Sequence, residues 1–393
     1  MSEAFWDRRR WIGSARDGQI SYSTAASFDQ IPCLDGLRAI SVLMVMVSHC
    51  GFANLIPGGF GVTVFFFISG LLIGRQLLAE REATGSIDLR RFAIRRLLRL
   101  YPPLLVAIVV SVPAFLTLGG TVTSAQLLSA LLYMSNYAEL VFGWTADPAT
   151  RHGPLDILWS LAVEQHFYLL APPLLLILPR RARSVLVGLI GLILTVAVWR
   201  AIIASSCQHS AIGICVGGLP DRIEAASDTR VDSLLYGVLL AALLNVYPRC
   251  ANLTGFATGI ACLLGSLAWR DPLFRETFRY SLQGIGLLFS VAATLFVPSL
   301  GILRRLLATP AMKLVGRLSY SLYLTHWALI VCALQWRFGD VDPTSALQTQ
   351  WLRTVLPAFV PSALLLAAVN YHGVERPILR LRRRFGAHAM AKA

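Results

Sequence analysis

The chain has 393 residues, of which 56% are hydrophobic and 14% charged, and its mean hydropathy is +0.63. Soluble domains of ordinary size cannot bury so large an apolar fraction, so the composition excludes a soluble globular protein and predicts a polytopic membrane protein. The formal net charge of +14 would suit a nucleic-acid-binding protein, but the basic residues lie mostly between apolar runs, as orientation signals do, and nucleic acid is not an expected partner.

Residues 1–33 lack the continuous apolar core of a signal peptide and carry the sequence DRRR, so we expect them to form a retained polar tail. The seven cysteines are odd in number, scattered along the chain and without a CxxC pair. This pattern predicts neither a disulfide framework nor a zinc site, and we expect no metal.

Ten apolar runs are long enough to cross the ~30 Å hydrocarbon core of a bilayer as helices. They lie near residues 34–52, 60–79, 101–119, 158–178, 184–204, 231–247, 253–269, 281–299, 316–336 and 353–372. An eleventh run, residues 125–144, is ambiguous. Both terminal tails are basic, so the positive-inside rule places both in the cytoplasm and requires an even number of spans.

We therefore predict an all-α polytopic membrane protein with about ten transmembrane helices and both termini cytoplasmic, in which residues 125–144 stay on the outer side. A cytoplasmic tail over residues 1–33 would precede the transmembrane domain, residues 34–373. A basic cytoplasmic tail over residues 374–393 would follow it.

The first run, LDGLRAISVLMVMVSHCGF, contains two ionisable residues, Arg38 and His49. Eleven residues at about 100° each return to nearly the same helix face, with a separation of about 16 Å along the axis. Taken singly, Arg38 fits an interfacial anchor, and His49 fits a hydrogen-bonded core histidine. Together they suggest a path that holds an anion at the inner surface and carries out proton chemistry farther in.

The longest inner loop, RRFAIRRLLRLYPP, places Arg91, Arg95 and Arg99 at positions i, i+4 and i+8, with Arg96 beside them. A basic helix lying on anionic lipid explains this pattern as well as a specific site does. Arginine also makes bidentate contacts with phosphates, and Arg38 is expected to open on the same side.

Two later runs carry polar side chains inside apolar helices. In LWSLAVEQHFYLL, Glu164 is expected to be buried and to need a partner, for which His49 at similar depth is the candidate. A glutamate and a histidine at one level suit general acid-base catalysis, and an inert buried contact is the alternative. In GRLSYSLYLTHWALI, core packing and site lining are equally good explanations of Ser319, Tyr320, Tyr323 and His326.

These four segments resemble, in order, the motifs of the acyltransferase 3 family of integral membrane acyltransferases, over most of residues 34–377. The resemblance implies that Arg38, His49, Arg96, Arg99 and Glu164 occupy the family's functional positions. Family members commonly read Glu-Glu-Gln where this chain has Glu164, Gln165 and His166.

The resemblance implies transfer of an acyl group, most often acetyl from acetyl-CoA, to a carbohydrate or lipid-linked sugar at the bacterial inner membrane. The coenzyme A phosphates would bind Arg38, Arg96 and Arg99 while the thioester reaches towards His49. His49 would act as general base, with Glu164 orienting it or stabilising its imidazolium form. An acyl-histidine intermediate is a variant that the sequence does not distinguish.

Two other classes of protein fit the same residues. One is a transporter or flippase for an anionic solute, with a path lined by Arg38, His49 and Glu164 and no covalent chemistry. The other is a structural membrane subunit with incidental buried polar groups. Consumption of acyl-CoA by the purified protein separates the enzyme from both.

Overall fold

The computed structural model describes residues 31–142, 152–209, 219–247, 251–342 and 345–382 of the chain, and these residues are helical without any β-strand. We number the α-helices in chain order. They are α1 Pro32–Val47, α2 Gly58–Thr84, α3 Leu89–Thr117, α4 Ser124–Leu131, α5 Ser135–Phe142, α6 Leu158–Ile177, α7 Ala182–His209, α8 Leu219–Ala225, α9 Ser227–Arg230, α10 Asp232–Val246, α11 Leu253–Ala268, α12 Pro272–Glu276, α13 Phe278–Phe296, α14 Gly301–Leu307, α15 Pro310–Phe338, α16 Ala346–Asn370 and α17 Arg376–Arg382.

Six helical segments in the described ranges are long and apolar enough to cross a membrane. They are Pro32–Phe52, Gly58–Thr84, Leu89–Thr117, Leu158–Ile177, Ala182–Ser206 and Ala346–Leu379. A seventh candidate, Phe278–Phe296 with Pro298–Leu307, is bent by 88° at its break. Large apolar side chains on the outside of the bundle, such as Val109, Ile177 and Val187, are 68%, 82% and 72% exposed, as expected of a surface that faces lipid.

Each of the ten predicted runs is helical over most of its length, but not all have the length or composition of a span. Helices α10 and α11 have only 15 and 16 residues. The 29-residue α15 lies largely inside the bundle. The protein is thus an all-helical, multi-pass membrane protein, while the number ten and the cytoplasmic placement of both termini stay predictions.

The ambiguous run over residues 125–144 is not one continuous helix. It divides into α4 and α5, each of eight residues, and Tyr133 between them has a positive φ of 54°. An eight-residue helix rises about 12 Å, far less than the hydrocarbon core. Neither helix is therefore long enough to cross the bilayer.

The core of the bundle is built by close approach of helix backbones. Helix α2 packs along α10, and α1 packs along α15. A Cβ atom added at Gly70 in α2 would lie 1.9 Å from the Leu234 carbonyl oxygen in α10. One added at Gly237 in α10 would lie 2.1 Å from the Phe67 carbonyl oxygen in α2. Small residues allow this approach, which is how helices associate in lipid, where the hydrophobic effect gives no drive between them.

Helix α1 does not continue uniformly to the end of its apolar run. A π-helical turn, Ser48–Phe52, follows Val47, and Gly51 within it has a φ of +87°. The Gly51 carbonyl accepts a hydrogen bond of 2.8 Å from Arg353 Nε in α16. His49 therefore lies in a wide turn, a local geometry common at functional sites, rather than in a regular α-helix.

Candidate active site

His49 contacts a second histidine that is distant in sequence. His49 Nδ1 lies 3.1 Å from Nε2 of His326, which is fully buried in α15. The two rings are nearly parallel, with centroids 5.4 Å apart, and the Trp327 ring meets the His49 ring edge-on at 4.9 Å. Two consecutive residues of α15 thus contact the His49 ring.

Backbone carbonyls determine which nitrogens of this pair carry protons. His326 Nδ1 lies 2.8 Å from the Tyr323 carbonyl oxygen and 3.1 Å from that of Leu322. A carbonyl oxygen only accepts hydrogen bonds, so Nδ1 of His326 carries the proton and Nε2 of a neutral ring is an acceptor. His49 must then donate through Nδ1, which leaves a lone pair on its Nε2. That nitrogen is able to accept a proton or attack an electrophile.

Glu164 does not form the predicted pair with His49. Among the described residues, the hydrogen-bond partner of His49 is His326, whereas the Glu164 carboxylate accepts a hydrogen bond from the Tyr168 hydroxyl one turn along α6. Glu164 is only 3% exposed. The buried carboxylate does have a hydrogen-bond partner, as predicted. The predicted partner, a histidine from another helix, is wrong, because Tyr168 on the same helix donates to the carboxylate.

The predicted arginines come together at one cavity. Arg38 from α1 lines it with Arg96 and Arg99 from α3, together with Glu164, Tyr168, Tyr320, Phe65, Ser69, Leu72, Ile73 and Leu100. Arg96 Nη2 is 2.5 Å from Gln76 Oε1, and its guanidinium lies over the rings of Phe92 and Tyr168 at 5.4 and 5.5 Å. Arg38 lies 5.2 Å from the Phe65 ring centroid. We call this group, Arg38, Arg96 and Arg99, the arginine end of the site.

A second cavity lies beside the first and has Phe65 and Glu164 in common with it. Its other lining residues are Ser41, Val42, Val45, Val62, Phe66, Ser160, Leu161 and Tyr323. Tyr323 in turn approaches the His326 ring, with centroids 5.6 Å apart. The second cavity thus comes within one ring contact of His326, although neither His49 nor His326 lines either cavity. We call the pair His49 and His326 the histidine end.

The four polar residues predicted in α15 have different surroundings. Tyr320 donates to the Leu100 carbonyl at 2.6 Å and lines the first cavity. Tyr323 donates to the Ile157 carbonyl at 3.1 Å, lies 2.6 Å from Ser160 Oγ and lines the second. Ser319 is fully buried, and its hydroxyl has no hydrogen-bond partner among the described residues. His326 contacts His49, so site lining explains three of the four.

Two residues of the site were not singled out in the sequence, Ser160 and Tyr168. Both belong to α6 and stand four residues before and four residues after Glu164. This i, i+4, i+8 spacing puts the three polar groups on one helix face. The spacing was visible in the sequence, but only the cavities show that this face lines the site.

Comparison with known proteins identifies the family. Residues 31–369 match the acyltransferase 3 family model, which is described as an acyltransferase domain. The Listeria monocytogenes protein named peptidoglycan O-acetyltransferase OatA is 28% identical over 373 residues, which cover 91% of this chain and 57% of that protein. The Staphylococcus aureus (strain COL) protein named "Putative O-acetyltransferase SACOL0978" is 33% identical over 318 residues, covering 76% of this chain and 50% of its own length.

The chain spans about half the length of the curated relatives that it matches. No solved structure is significantly similar to it. The family model covers most of the chain, including the arginine end, the histidine end and both cavities. The chain therefore belongs to the acyltransferase 3 family of membrane acyltransferases.

Proposed function

We propose that the protein transfers an acyl group, most simply acetyl, from acyl-CoA to a hydroxyl of a cell-surface or lipid-linked carbohydrate. The observation that carries the proposal is the lone pair on His49 Nε2, together with two adjoining cavities, one lined by three arginines and the other by Tyr323, whose ring contacts His326. A relative named for peptidoglycan O-acetylation supports a bacterial surface glycan as the acceptor class. The apolar helices place the reaction in a membrane, for which we propose the bacterial inner membrane.

The arginine end suits the donor. Coenzyme A carries several phosphate charges, and guanidinium groups bind phosphate through paired, charge-assisted hydrogen bonds. Arg38, Arg96 and Arg99 would hold these phosphates, and the flexible pantetheine arm would pass Glu164 towards the histidine end. The Glu164 carboxylate would balance the positive charge where the arm enters, and the hydroxyl of Tyr168 would hold that carboxylate in place.

The histidine end suits the transfer step. His49 Nε2 removes the proton of the acceptor hydroxyl as the hydroxyl oxygen attacks the thioester carbonyl carbon. The bond from that carbon to sulfur breaks, and the leaving thiolate takes the proton from His49 Nε2, which gives free coenzyme A and restores the neutral ring. His326 accepts from His49 Nδ1 throughout, which keeps the ring in the reactive tautomer and stabilises the positive charge that develops on it.

The test is acyl transfer by the purified protein in detergent, followed as free thiol released from acetyl-CoA in the presence of a peptidoglycan fragment. We expect turnover by the unchanged protein and a loss of 10² to 10⁴-fold in kcat for His49→Ala, the typical contribution of a general base. Affinity for coenzyme A and the melting temperature should be retained. A well-folded His49→Ala protein with unchanged turnover would remove the base from the mechanism. Solute movement into proteoliposomes without acetyl-CoA consumption would identify a transporter instead.

A further inference from the structure

A second arginine cluster lies in the bundle and takes no part in the site described above. Arg230, the last residue of α9, is fully buried, and its Nη2 donates to Thr63 Oγ1 in α2 at 3.2 Å. Its Nε and Nη1 atoms are buried and have no hydrogen-bond partner among the described residues. A buried guanidinium with two free donors is costly unless an acceptor is supplied.

Three guanidinium groups surround one aromatic ring. Arg230, Arg279 and Arg200 lie 3.9, 4.7 and 5.3 Å from the ring centroid of Tyr280. Arg279 donates through Nη2 to the Tyr280 hydroxyl at 2.8 Å, while its buried Nε has no partner in the described ranges. The cluster thus offers three donor nitrogens without a partner among the described residues, on two guanidinium groups that both lie against the Tyr280 ring.

The acidic side chains nearby do not neutralise these two arginines by direct contact. Asp232 forms an ion pair of 2.8 Å with Arg200. Glu224 acts electrostatically on Arg230 and Arg279, and Glu276 acts on Arg279. Within the described part of the chain, however, neither Arg230 nor Arg279 has a carboxylate oxygen within the 4.0 Å of an ion pair. The two guanidinium groups are therefore able to bind an anion through their positive charge and their N–H donors.

The cluster adjoins the histidine end. Gly58, the first residue of α2, packs against Ser48 beside His49, and the next turns of α2 run along the cluster. Thr63 contacts Arg230, and the ring of Phe66 lies 5.7 Å below the Arg230 guanidinium while also lining the cavity that contains Ser160 and Tyr323. Phe66 of α2 therefore contacts both the cluster and the second cavity.

The cluster is open to the surface at one edge. Arg279 and Glu224 are partly exposed, and Glu224 Oε1 lies 3.0 Å from the point where a Cβ atom of the exposed Gly59 would stand. A bulky residue at position 59 would fill this approach. An anion that approaches from this edge would meet Arg279 first, since Arg230 is fully buried.

We propose that Arg230 and Arg279 form a binding site for an anionic group of the acceptor, a carboxylate or a phosphate. This inference rests on the proposed acyl transfer, and it separates the two substrates. The donor's phosphates bind at the arginine end, whereas the acceptor's anionic group binds beside Thr63 of α2, one to two turns from the start of the helix that packs against Ser48. An acceptor held by its charge in this position would present a neighbouring hydroxyl to His49. The protein would then prefer an acidic or phosphate-linked sugar over a neutral one.

The first measurement is thermal stabilisation of the purified protein by inorganic phosphate, by glucuronate and by the neutral sugar glucose. Saturating coenzyme A is present throughout, so that Arg38, Arg96 and Arg99 are occupied. We expect glucuronate or phosphate, but not glucose, to raise the melting temperature. Stronger stabilisation by glucuronate points to a sugar carboxylate, and stronger stabilisation by phosphate points to a phosphate-linked carrier.

The second measurement repeats the titrations with Arg279→Gln, whose side chain is partly exposed and therefore tolerant of change. The half-saturating anion concentration should rise about tenfold or more, as expected for loss of a charged hydrogen bond. Arg275→Gln, on the exposed face of the adjacent α12, is the matched control and should bind as the unchanged protein does. Arg230→Lys should also weaken binding because an ammonium group lacks the planar fork.

The outcomes distinguish this inference from the proposed function. Equal responses to glucose and to both anions, or equal effects of Arg275→Gln and Arg279→Gln, would overturn the anion site even if acetyl transfer is observed. Selective anion binding that Arg279→Gln weakens would support the site. If acetyl-CoA is not consumed in that case, the proposed transfer fails while the anion site stands.

Discussion

The tautomer of His49 is a property of single atoms, and it depends on His326. The Tyr323 and Leu322 carbonyls hold the proton of His326 on Nδ1, so its Nε2 accepts from His49 and directs the His49 lone pair away from the pair. The second histidine is therefore a positioning residue: it acts on the substrate only through His49.

A substitution series tests this role of His326. We expect His326→Ala to lower kcat by roughly 10² to 10⁴-fold, the range for losing an oriented base. In His326→Gln, the side-chain oxygen is an acceptor for His49 Nδ1, so kcat should recover in part. The KM for acetyl-CoA should change little in either variant. Equal loss of kcat in both variants, in parallel with equal loss of melting temperature, would mean that His326 serves packing alone.

The arginine end makes a prediction about donor affinity. Arg96→Ala or Arg99→Ala should weaken binding of coenzyme A by about 1 to 3 kcal/mol, the range for a charged hydrogen bond. Arg-to-Lys changes at these positions should restore binding only in part, since lysine lacks the planar fork. Calorimetric titration of the purified protein measures both.

Arg90→Ala is the matched control for the donor site, because Arg90 stands in the same basic first part of α3 but is exposed. It should leave coenzyme A affinity unchanged. If Arg90→Ala, Arg96→Ala and Arg99→Ala all leave the affinity for coenzyme A unchanged, this basic part of α3 is a lipid anchor and not a donor site.

At the scale of helices, the crossing of α2 and α10 depends on glycines. An added methyl group at Gly70 or Gly237 would lie within 2.1 Å of a backbone carbonyl oxygen of the partner helix. Backbone atoms cannot move aside as a flexible side chain does, so the helices would have to separate. The start of α2, next to His49, would move with them.

We therefore expect Gly70→Ala and Gly237→Ala to destabilise the protein by about 1 to 3 kcal/mol, the usual cost of overpacking. Gly191→Ala is the control, because a Cβ atom at Gly191 in α7 meets nothing within 4 Å. That change should be neutral or slightly stabilising, as alanine is favoured over glycine inside a helix. Melting temperatures in one detergent give the comparison, and equal values for all three variants would contradict the close crossing.

At the scale of the whole molecule, the placement of the termini relative to the membrane is still a prediction from charge and parity. A reporter fused at Ala393 should be cytoplasmic, and one inserted near Asp147 should be extracytoplasmic; both positions lie outside the described residues. The division of residues 125–144 into α4 and α5 agrees with an even number of spans, since neither helix crosses the bilayer. Labelling of the Asp147 site from the cytoplasm would contradict the ten-span topology.

Much of the site was predictable because its signals are local. Arg38, Arg96, Arg99 and Glu164 are ionisable residues within or beside apolar runs. A charged side chain at such a position costs free energy, so it usually marks a functional site. The structure brings all four to one cavity. Their predicted roles in binding and catalysis stay predictions, since a shared cavity shows only that the side chains lie close together.

The partner of Glu164 was predicted wrongly because the sequence shows which polar groups are buried but not how far apart they lie. Glu164 was expected to pair with His49 from its estimated depth in the bilayer. In the structure Tyr168, four residues away on the same helix face, satisfies the carboxylate. The π-helical turn at Ser48–Phe52 also breaks the uniform helix from which the depth of His49 was estimated.

The sequence by itself determined that this is an all-helical membrane protein of the acyltransferase 3 family, because apolar run length and short ordered motifs are local properties of the chain. Only the tertiary structure decided which buried polar groups meet. His49 and His326 are 277 residues apart and share a hydrogen bond. Arg200, Arg230 and Arg279 belong to three helices and surround one tyrosine ring. Such contacts depend on how helices cross, and the crossings are set by backbone approach at glycines far from the groups that they bring together.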